Sequence, residues 1–489
     1  MQSPVGAPGL LVAGTSSDAG KSLVVTGLCR VLARRGVAVA PFKAQNMSNN
    51  SGVCADGAEI GRAQFLQAQA ARVPPESAMN PVLLKPGSDR RSHVVLRGRP
   101  TGTLESGEYA TGRAHLAAAA YAAYEELSER FAMVVCEGAG SPAEINLRAG
   151  DYVNTGLAQR FGLPMAVVGD IDRGGVFAAL YGTWALLEEA DRKLINAFVI
   201  NKFRGDQAVL APGLDELTQR TGVPVAGVLP WLPDLWLDAE DTLEIGAWRH
   251  QAATTPATLR VAVVRLPRVS NVTDVDALAA EPGVEVRVTT DPDVVADADL
   301  AVLPGSRATL SDLDWLRRSG MALALAARAQ RDAPVLGICG GYQMLASRIT
   351  DDVEAGTGSA PGLDLLPTRV VFHPDKVLGR PHGEWRGLPV AAYEIHHGIA
   401  EVDGGEPFLD GCRVGAVWGT MWHGAFENDG FRRAWLSEVA AATGSPWHPA
   451  DGAPGYADRR ERMIDTLADT IEATLDLDVL LAGTVVGPP

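Results

Sequence analysis

Two short segments of this chain join small residues to a cation or a nucleophile in a strand-to-helix setting, and each could do a defined kind of chemistry. Residues 14–22, Gly-Thr-Ser-Ser-Asp-Ala-Gly-Lys-Ser, lie between an apolar run and a helical run that reaches Arg35 before Gly36. Such a loop turns backbone N–H groups and a helix N-terminus towards anions, so Thr15, Asp18 and Gly20 would surround the phosphates of ATP. Lys21 would neutralise the terminal phosphates and the Ser22 hydroxyl would ligate Mg2+. The spacing is irregular, with Gly14 six positions before Gly20. Ser16 stands where partition-type ATPases carry a signature lysine, which argues against that class.

The second segment, residues 337–345, reads Gly-Ile-Cys-Gly-Gly-Tyr-Gln-Met-Leu. Glycines on both sides of Cys339 permit the sharp turn that exposes a nucleophile, and a helix opening at Gly340 favours thiolate and an oxyanion. Gly305, in the turn Pro304-Gly305-Ser306, could offer a second backbone N–H to that oxyanion. A cysteine nucleophile needs a base, and His423 is the best placed of nine histidines because it closes the strand-like 418–422 and precedes Gly424. His396 and His397 are its rivals.

Acids that could hold Mg2+ follow in two places. Glu137 ends an apolar strand and opens the loop Gly138-Ala139-Gly140, where a carboxylate would face the phosphates. Either Asp56 or Glu59 could be a second acid, and a helix N-cap is an equally ordinary reading for both. Lys43 closes the second strand, where it could contact the transferred phosphoryl group or the substrate, or be solvated. Asn201 and Lys202 close another strand and are candidates for the nucleotide base.

The elements that must position these residues alternate as parallel-sheet proteins do. Strands are expected at 10–13, 37–41, 132–137, 164–169, 197–201 and 223–229, and again at 259–265, 300–303, 335–338 and 414–422. The first series predicts a synthetase domain over 1–247. A small-polar, proline-bearing linker follows at 248–258, then a second α/β domain over 259–445. The tail, 446–489, is expected to hold one amphipathic helix over 456–481, whose apolar face would pack or form a homodimer. Length, 46% apolar residues and 21% charged residues describe a folded chain of two large domains. The net charge of −16 disfavours nucleic acid and anionic membranes as partners. Five scattered cysteines and the lack of a signal-like or spanning segment point to a reducing, cytoplasmic setting.

Together the motifs resemble the cobyric acid synthase family over nearly the whole length. The resemblance rests on GTSSDAGKS, KAQNMSNNSG, ADGAEIGRAQ, NPVLLKP, CEGAGSPAEINL, GDIDRGGVFA, INKFRGD, LPRVSNVTDVDAL, LPGSRATLSDLDWLR, GICGGYQML and YEIHHG in that order. It implies an N-terminal P-loop NTPase-like α/β domain, similar to dethiobiotin synthetase, joined to a class I glutamine amidotransferase-like α/β domain. The implied reaction is ATP- and glutamine-dependent amidation of four peripheral carboxylates of adenosylcobyrinic acid a,c-diamide. Cys339 and His423 resemble the family's nucleophile and its partner. Triad amidotransferases often place glutamate two residues after the histidine, but Ala425 stands there and Glu427 lies four residues on. The chain is similar here to the corrinoid branch, for which a dyad is implied, and whether Glu427 completes a triad stays open. Arg90, Arg91, Arg97 and Arg99 are candidates for the polyanionic substrate, or form a solvated loop. The nearest rival is cobyrinic acid a,c-diamide synthase; another P-loop and amidotransferase amide ligase is the broader alternative.

Overall fold

The computed structural model describes residues 9–87, 91–105, 113–232, 235, 259–356 and 358–484. The linker expected at 248–258 and Arg90 lie outside the described residues. Two sheets organise the chain. In the first, Val225–Pro230, Ile195–Phe203, Met165–Asp170, Gly9–Gly14, Met133–Glu137 and Val39–Phe42 lie side by side in that order, all parallel. These strands are short, apolar and largely buried, as expected where helices cover both faces. Because all six run the same way, Gly14, Glu137, Asp170 and Asn201 gather at one edge, the edge where open parallel sheets bind ligands.

In the second sheet, Val284–Thr289, Leu259–Val264, Leu300–Leu303, Val335–Ile338 and Val417–Thr420 are parallel neighbours. The run 414–422, expected as one strand, is instead a turn and a strand. Gly411–Val414 and Val417–Thr420 form an antiparallel hairpin, with Gly415 at φ 54° between them. Period-2 apolar spacing does not distinguish one strand from two halves of a tight hairpin.

Smaller mixed sheets bring the halves together. Gln45–Met47, Val82–Pro86, Arg91–Leu96 and Arg99–Glu105 form one such sheet, and Gly358–Pro361, Arg348–Asp351, Thr368–Gly379 and Glu394–Val402 form another. Between the halves, Lys376 Nζ donates to Glu59 Oε2 at 2.6 Å, the Ser51 N–H donates to Asn271 Oδ1 at 2.9 Å, and Arg62 pairs with Glu427.

The C-terminal helix is Tyr456–Thr474, followed after a break by a single turn, Leu477–Leu480, so the expected single helix is two. Its apolar face is occupied within the chain, by the helix Lys21–Arg34 that follows the phosphate loop. Gly27 makes the approach possible, since a Cβ there would lie 2.3 Å from Ile471 Cδ1. Arg30, 1% exposed, donates to Asp465 and Glu461 across the same seam. No helix among the described residues is long and apolar enough to cross a membrane.

Because Leu467 and Ile471 are fully buried on that seam, Ile471→Ala should lower stability by about 2–4 kcal/mol, the range for a large-to-alanine core change. Urea unfolding of the two proteins side by side would read it; an unchanged midpoint would mean the helix is not part of the first domain's core.

Candidate functional site

At the edge of the first sheet the loop from Gly14 rises over the strand ends. Thr15 donates its N–H to Val168 O, and Gly20 at φ 105° caps the following helix. Lys21 lies along the loop, donating to Ser16 O at 2.9 Å and Gly140 O at 3.3 Å. Ser22 donates its hydroxyl to Glu137 Oε1 at 2.9 Å, and Lys43 reaches the same oxygen at 2.8 Å. Glu137 is fully buried and Lys43 is 3% exposed. Gln67, from the helix Arg62–Ala71, donates to the second carboxylate oxygen. A cavity of about 410 Å³ opens in front of this group, lined by Lys21, Lys43, Gln45, Asn46, Arg113 and Gly140 among others.

A hydroxyl and a carboxylate facing a phosphate loop suit Mg2+, which takes one or two protein oxygens and completes its shell with phosphate and water. Ser22 and Glu137 meet that description.

The other two acids do not come here. Glu59 is fully buried at the interface, where Lys85 Nζ and Lys376 Nζ donate to it at 2.5 and 2.6 Å. Burial opposes its charge, and the two lysines overcome that and hold the carboxyl well below the usual range. Asp56 is exposed and accepts the Ala58 N–H, closing its own turn. Both were placed near the phosphates on sequence proximity to a helix start, which carries no information about the partner lysines. Asn201, expected at the nucleotide base, lies beneath the loop: it is 1% exposed and donates to Ala19 O, while Lys202 bonds Asp18 O and Asp170. Asp18 pairs with Arg173 at the loop's rim. Arg97 pairs with Glu126, and Arg99 is exposed. Among the described residues the arginines that line the cavity in their stead are Arg113 and Arg148, which sequence reading missed.

In the second half Cys339 sits at φ 48°, ψ −110°, between Val335–Ile338 and the helix Gly340–Leu345. This left-handed turn is strained for a non-glycine residue and is fixed by the strand and helix on either side. Gly305 lies against the His423 ring, where a Cβ would come within 3.1 Å of Cε1. Gly340 opens its helix, so its N–H has no partner inside that helix, and a Cβ on it would strike the Ser306 nitrogen at 2.6 Å.

His423 is fully buried. Its third partner is one that sequence reading did not find: Nδ1 lies 2.6 Å from Asp274 Oδ2, and the other carboxylate oxygen accepts the Gly424 N–H at 2.8 Å. Asp274 is 3% exposed, on the short turn Val272–Val275. The carboxylate fixes the imidazole with Nε2 as the atom that faces the cysteine sulfur. Burial disfavours charge on His423, but Asp274 and then Cys339 reverse that, raising its pKa to about 10. Tyr393 stacks on the ring, centroids 5.3 Å apart.

Glu427, the acid nearest in sequence, faces away from His423, towards Arg62 and Arg460. The arrangement is therefore neither a bare dyad nor a triad completed by Glu427. His396 and His397 line the pocket around Cys339 together with Gln343, Arg307, Lys376 and, from the first half of the chain, Lys85. Arg307 there pairs with Glu354.

Residues 10–244 match the model of the CobQ/CobB/MinD/ParA nucleotide binding domain, and residues 260–431 that of the CobB/CobQ-like glutamine amidotransferase domain. A cobyric acid synthase of Cutibacterium acnes is 64% identical over 97% of this chain and 99% of its own length. Those of Mycolicibacterium vanbaalenii and Streptomyces avermitilis are 58% and 57% identical, over 98% and 96% of this chain and 97% and 95% of theirs.

A histidine whose folded pKa is raised stabilises the fold fully below its unfolded value of about 6.5, and that contribution disappears as pH rises through about 10. The stability difference between the wild type and His423→Gln should accordingly shrink as pH is raised from 6.5 towards 10. Urea titrations at several pH values check this, and a difference that grows with pH would contradict it.

Proposed function

The chain belongs to the cobyric acid synthase family and is a glutamine-dependent amide ligase; from that premise we propose that it amidates the b, d, e and g carboxylates of adenosylcobyrinic acid a,c-diamide in the cytoplasm, with ATP and glutamine. The observation that carries this reading is that Lys85 of the first half forms part of the wall around Cys339, on a strand paired with Gln45–Met47, whose residues line the phosphate-loop cavity.

In this mechanism Cys339 attacks the side-chain carbonyl of glutamine. Its proton is held on His423 Nε2, whose raised pKa keeps the ring an imidazolium paired with Asp274. The tetrahedral oxyanion takes N–H bonds from Gly340 and Gly305. His423 then protonates the leaving nitrogen, so ammonia departs and a thioester remains for water to hydrolyse. Arg307 and Glu354 are a charge pair suited to the carboxylate and ammonium of a free amino acid.

In the other cavity a corrinoid carboxylate takes the γ-phosphoryl group of ATP, because an acyl phosphate is an acyl electrophile and a carboxylate is not. Mg2+ would be held by Ser22 and Glu137 and would supply positive charge to the phosphates. Lys21 and Lys43 offset the charge that moves with the phosphoryl group, and Arg113 offers a cation to the other carboxylates. Ammonia displaces phosphate and leaves the amide.

A related synthase that adds two amides to cobyrinic acid would share both half-sites. Mass spectrometry of products from each corrinoid acid distinguishes the readings: four added amides on the a,c-diamide support ours, and two on cobyrinic acid alone sink it. Cys339→Ser should lower glutamine-dependent amidation at least about 10³-fold while amidation from ammonium chloride persists. Asp274→Asn should reduce the turnover number for glutamine hydrolysis by about 10²–10⁴-fold with little change in KM, since the ring is held in the wrong tautomer rather than the substrate lost.

A further inference from the structure

Ammonia released at Cys339 has to reach an acyl phosphate beside Lys43 without being protonated in bulk water. The segment 46–51, Asn-Met-Ser-Asn-Asn-Ser, joins the two places. At one end the Ser51 N–H donates to Asn271, and the Ser51 hydroxyl accepts from Lys85 at 2.9 Å; Asn271 and Lys85 both line the Cys339 pocket. At the other end Asn46 lines the cavity that contains Lys43. Six residues reach at most about 20 Å when extended, the scale of a passage between neighbouring domains.

The burial of this segment is out of keeping with its composition. Asn46, Ser48, Asn49, Asn50 and Ser51 are exposed by 2, 4, 7, 1 and 0%. Placing so many polar side chains inside is unfavourable unless each is hydrogen-bonded. The helix Arg62–Ala71 brings two more, Gln64 and Gln67, both fully buried and three residues apart on one face. Gln64 Oε1 accepts from Asn46 at 3.0 Å, and Gln67 reaches Glu137. Yet Asn49 Oδ1, Gln64 Nε2 and Gln67 Oε1 are buried with no hydrogen-bond partner. Buried polar atoms are rarely left so. Two acceptors and a donor along one seam fit a small neutral molecule that both donates and accepts. Lys85 and Lys376 share the single carboxylate of Glu59 at the Cys339 end, and the net positive charge favours neutral ammonia over ammonium in the seam.

We propose that the buried polar seam of Asn46 and residues 48–51, with Gln64 and Gln67, is the route by which ammonia passes from the Cys339 pocket to the Lys43 cavity. This rests on the amide-synthase reading above and adds a path to it.

Two substitutions alter the seam at residues that line neither cavity. Asn49→Leu keeps the size and removes the unpaired acceptor. Gly61→Ala has φ −60°, which alanine accepts, and sets a methyl 2.5 Å from Asn46 Nδ2 and 2.7 Å from Gln64 Oε1, so both must shift. The experiment supplies glutamine labelled with 15N in its side-chain amide, together with about a tenfold excess of unlabelled ammonium chloride, and reads the label in the amidated corrinoid by mass spectrometry. The wild type should retain most of the label, while at least one variant should retain several-fold less and still hydrolyse glutamine and amidate from ammonium chloride. Dilution of the wild-type label to the bulk ratio, or full retention in both variants, overturns the route. Loss of ammonium-dependent amidation in both variants also overturns it, because the segment would then serve the acceptor site. Failure of the wild type to amidate a corrinoid acid from either nitrogen source would instead overturn the functional reading.

Discussion

A fully buried carboxylate, Glu59, accepts hydrogen bonds from Lys85 of its own half and from Lys376 of the other, and the relation between the two candidate centres depends on that contact. Removing three charges from water is strongly unfavourable unless each finds a partner, so the cluster tolerates few geometries. Loss of Glu59 would leave two buried lysines uncompensated. Burial and the nearby charge of Lys376 weaken the proton affinity of Lys85, bringing its pKa down to about 8 despite Glu59. A surface ion pair could slide and still be solvated; this one fixes where the strand Val82–Pro86 meets the amidotransferase half. The walls of the Cys339 pocket are fixed with it.

The same economy of position governs each half. Parallel strands deliver their carboxyl ends to one edge, so residues distant in sequence converge without any dedicated scaffold: Ser22 and Glu137 are 115 residues apart, Lys43 and Glu137 are 94 apart. In the second half the equivalent edge holds Cys339 and His423, on adjacent strands whose register pairs Ile338 with Thr420. Strain at Cys339 is sustained by backbone bonds on both sides, its N–H to Thr420 O and its carbonyl to the Gln343 N–H. The turn is thereby held open whether or not glutamine is bound.

Much of this was legible in the sequence, and the reason is locality. A phosphate loop and a nucleophile elbow are each written in a single run of about nine residues, with glycines where the backbone demands them, and short apolar strands announce parallel sheets. What was illegible is long-range pairing. Asp274 meets His423 across 149 residues and sits in the short turn Val272–Val275 with no local sign of chemistry. Proximity in sequence pointed to Glu427, which serves the interface with Arg62 and Arg460. Glu59 was misread for the same reason, its partner Lys376 being 317 residues away. The return of the C-terminal helix to the first domain was likewise hidden, because an apolar stripe states that it must be covered and not by what.

The amphipathic tail and the ionic interface then bear on one another. Arg460 belongs to the helix that packs on the first domain, and it shares Glu427 with Arg62, so tail, synthetase half and amidotransferase half meet at one carboxylate. Glu427 lies only four residues beyond His423, and Gly424 between them is bonded to Asp274. The backbone carrying the base is thus held on one side by the acid that orients it and on the other by cations of the opposite half. The histidine is tied to the interface through the loop that carries it, whereas the cysteine is fixed by its own strand-to-helix turn.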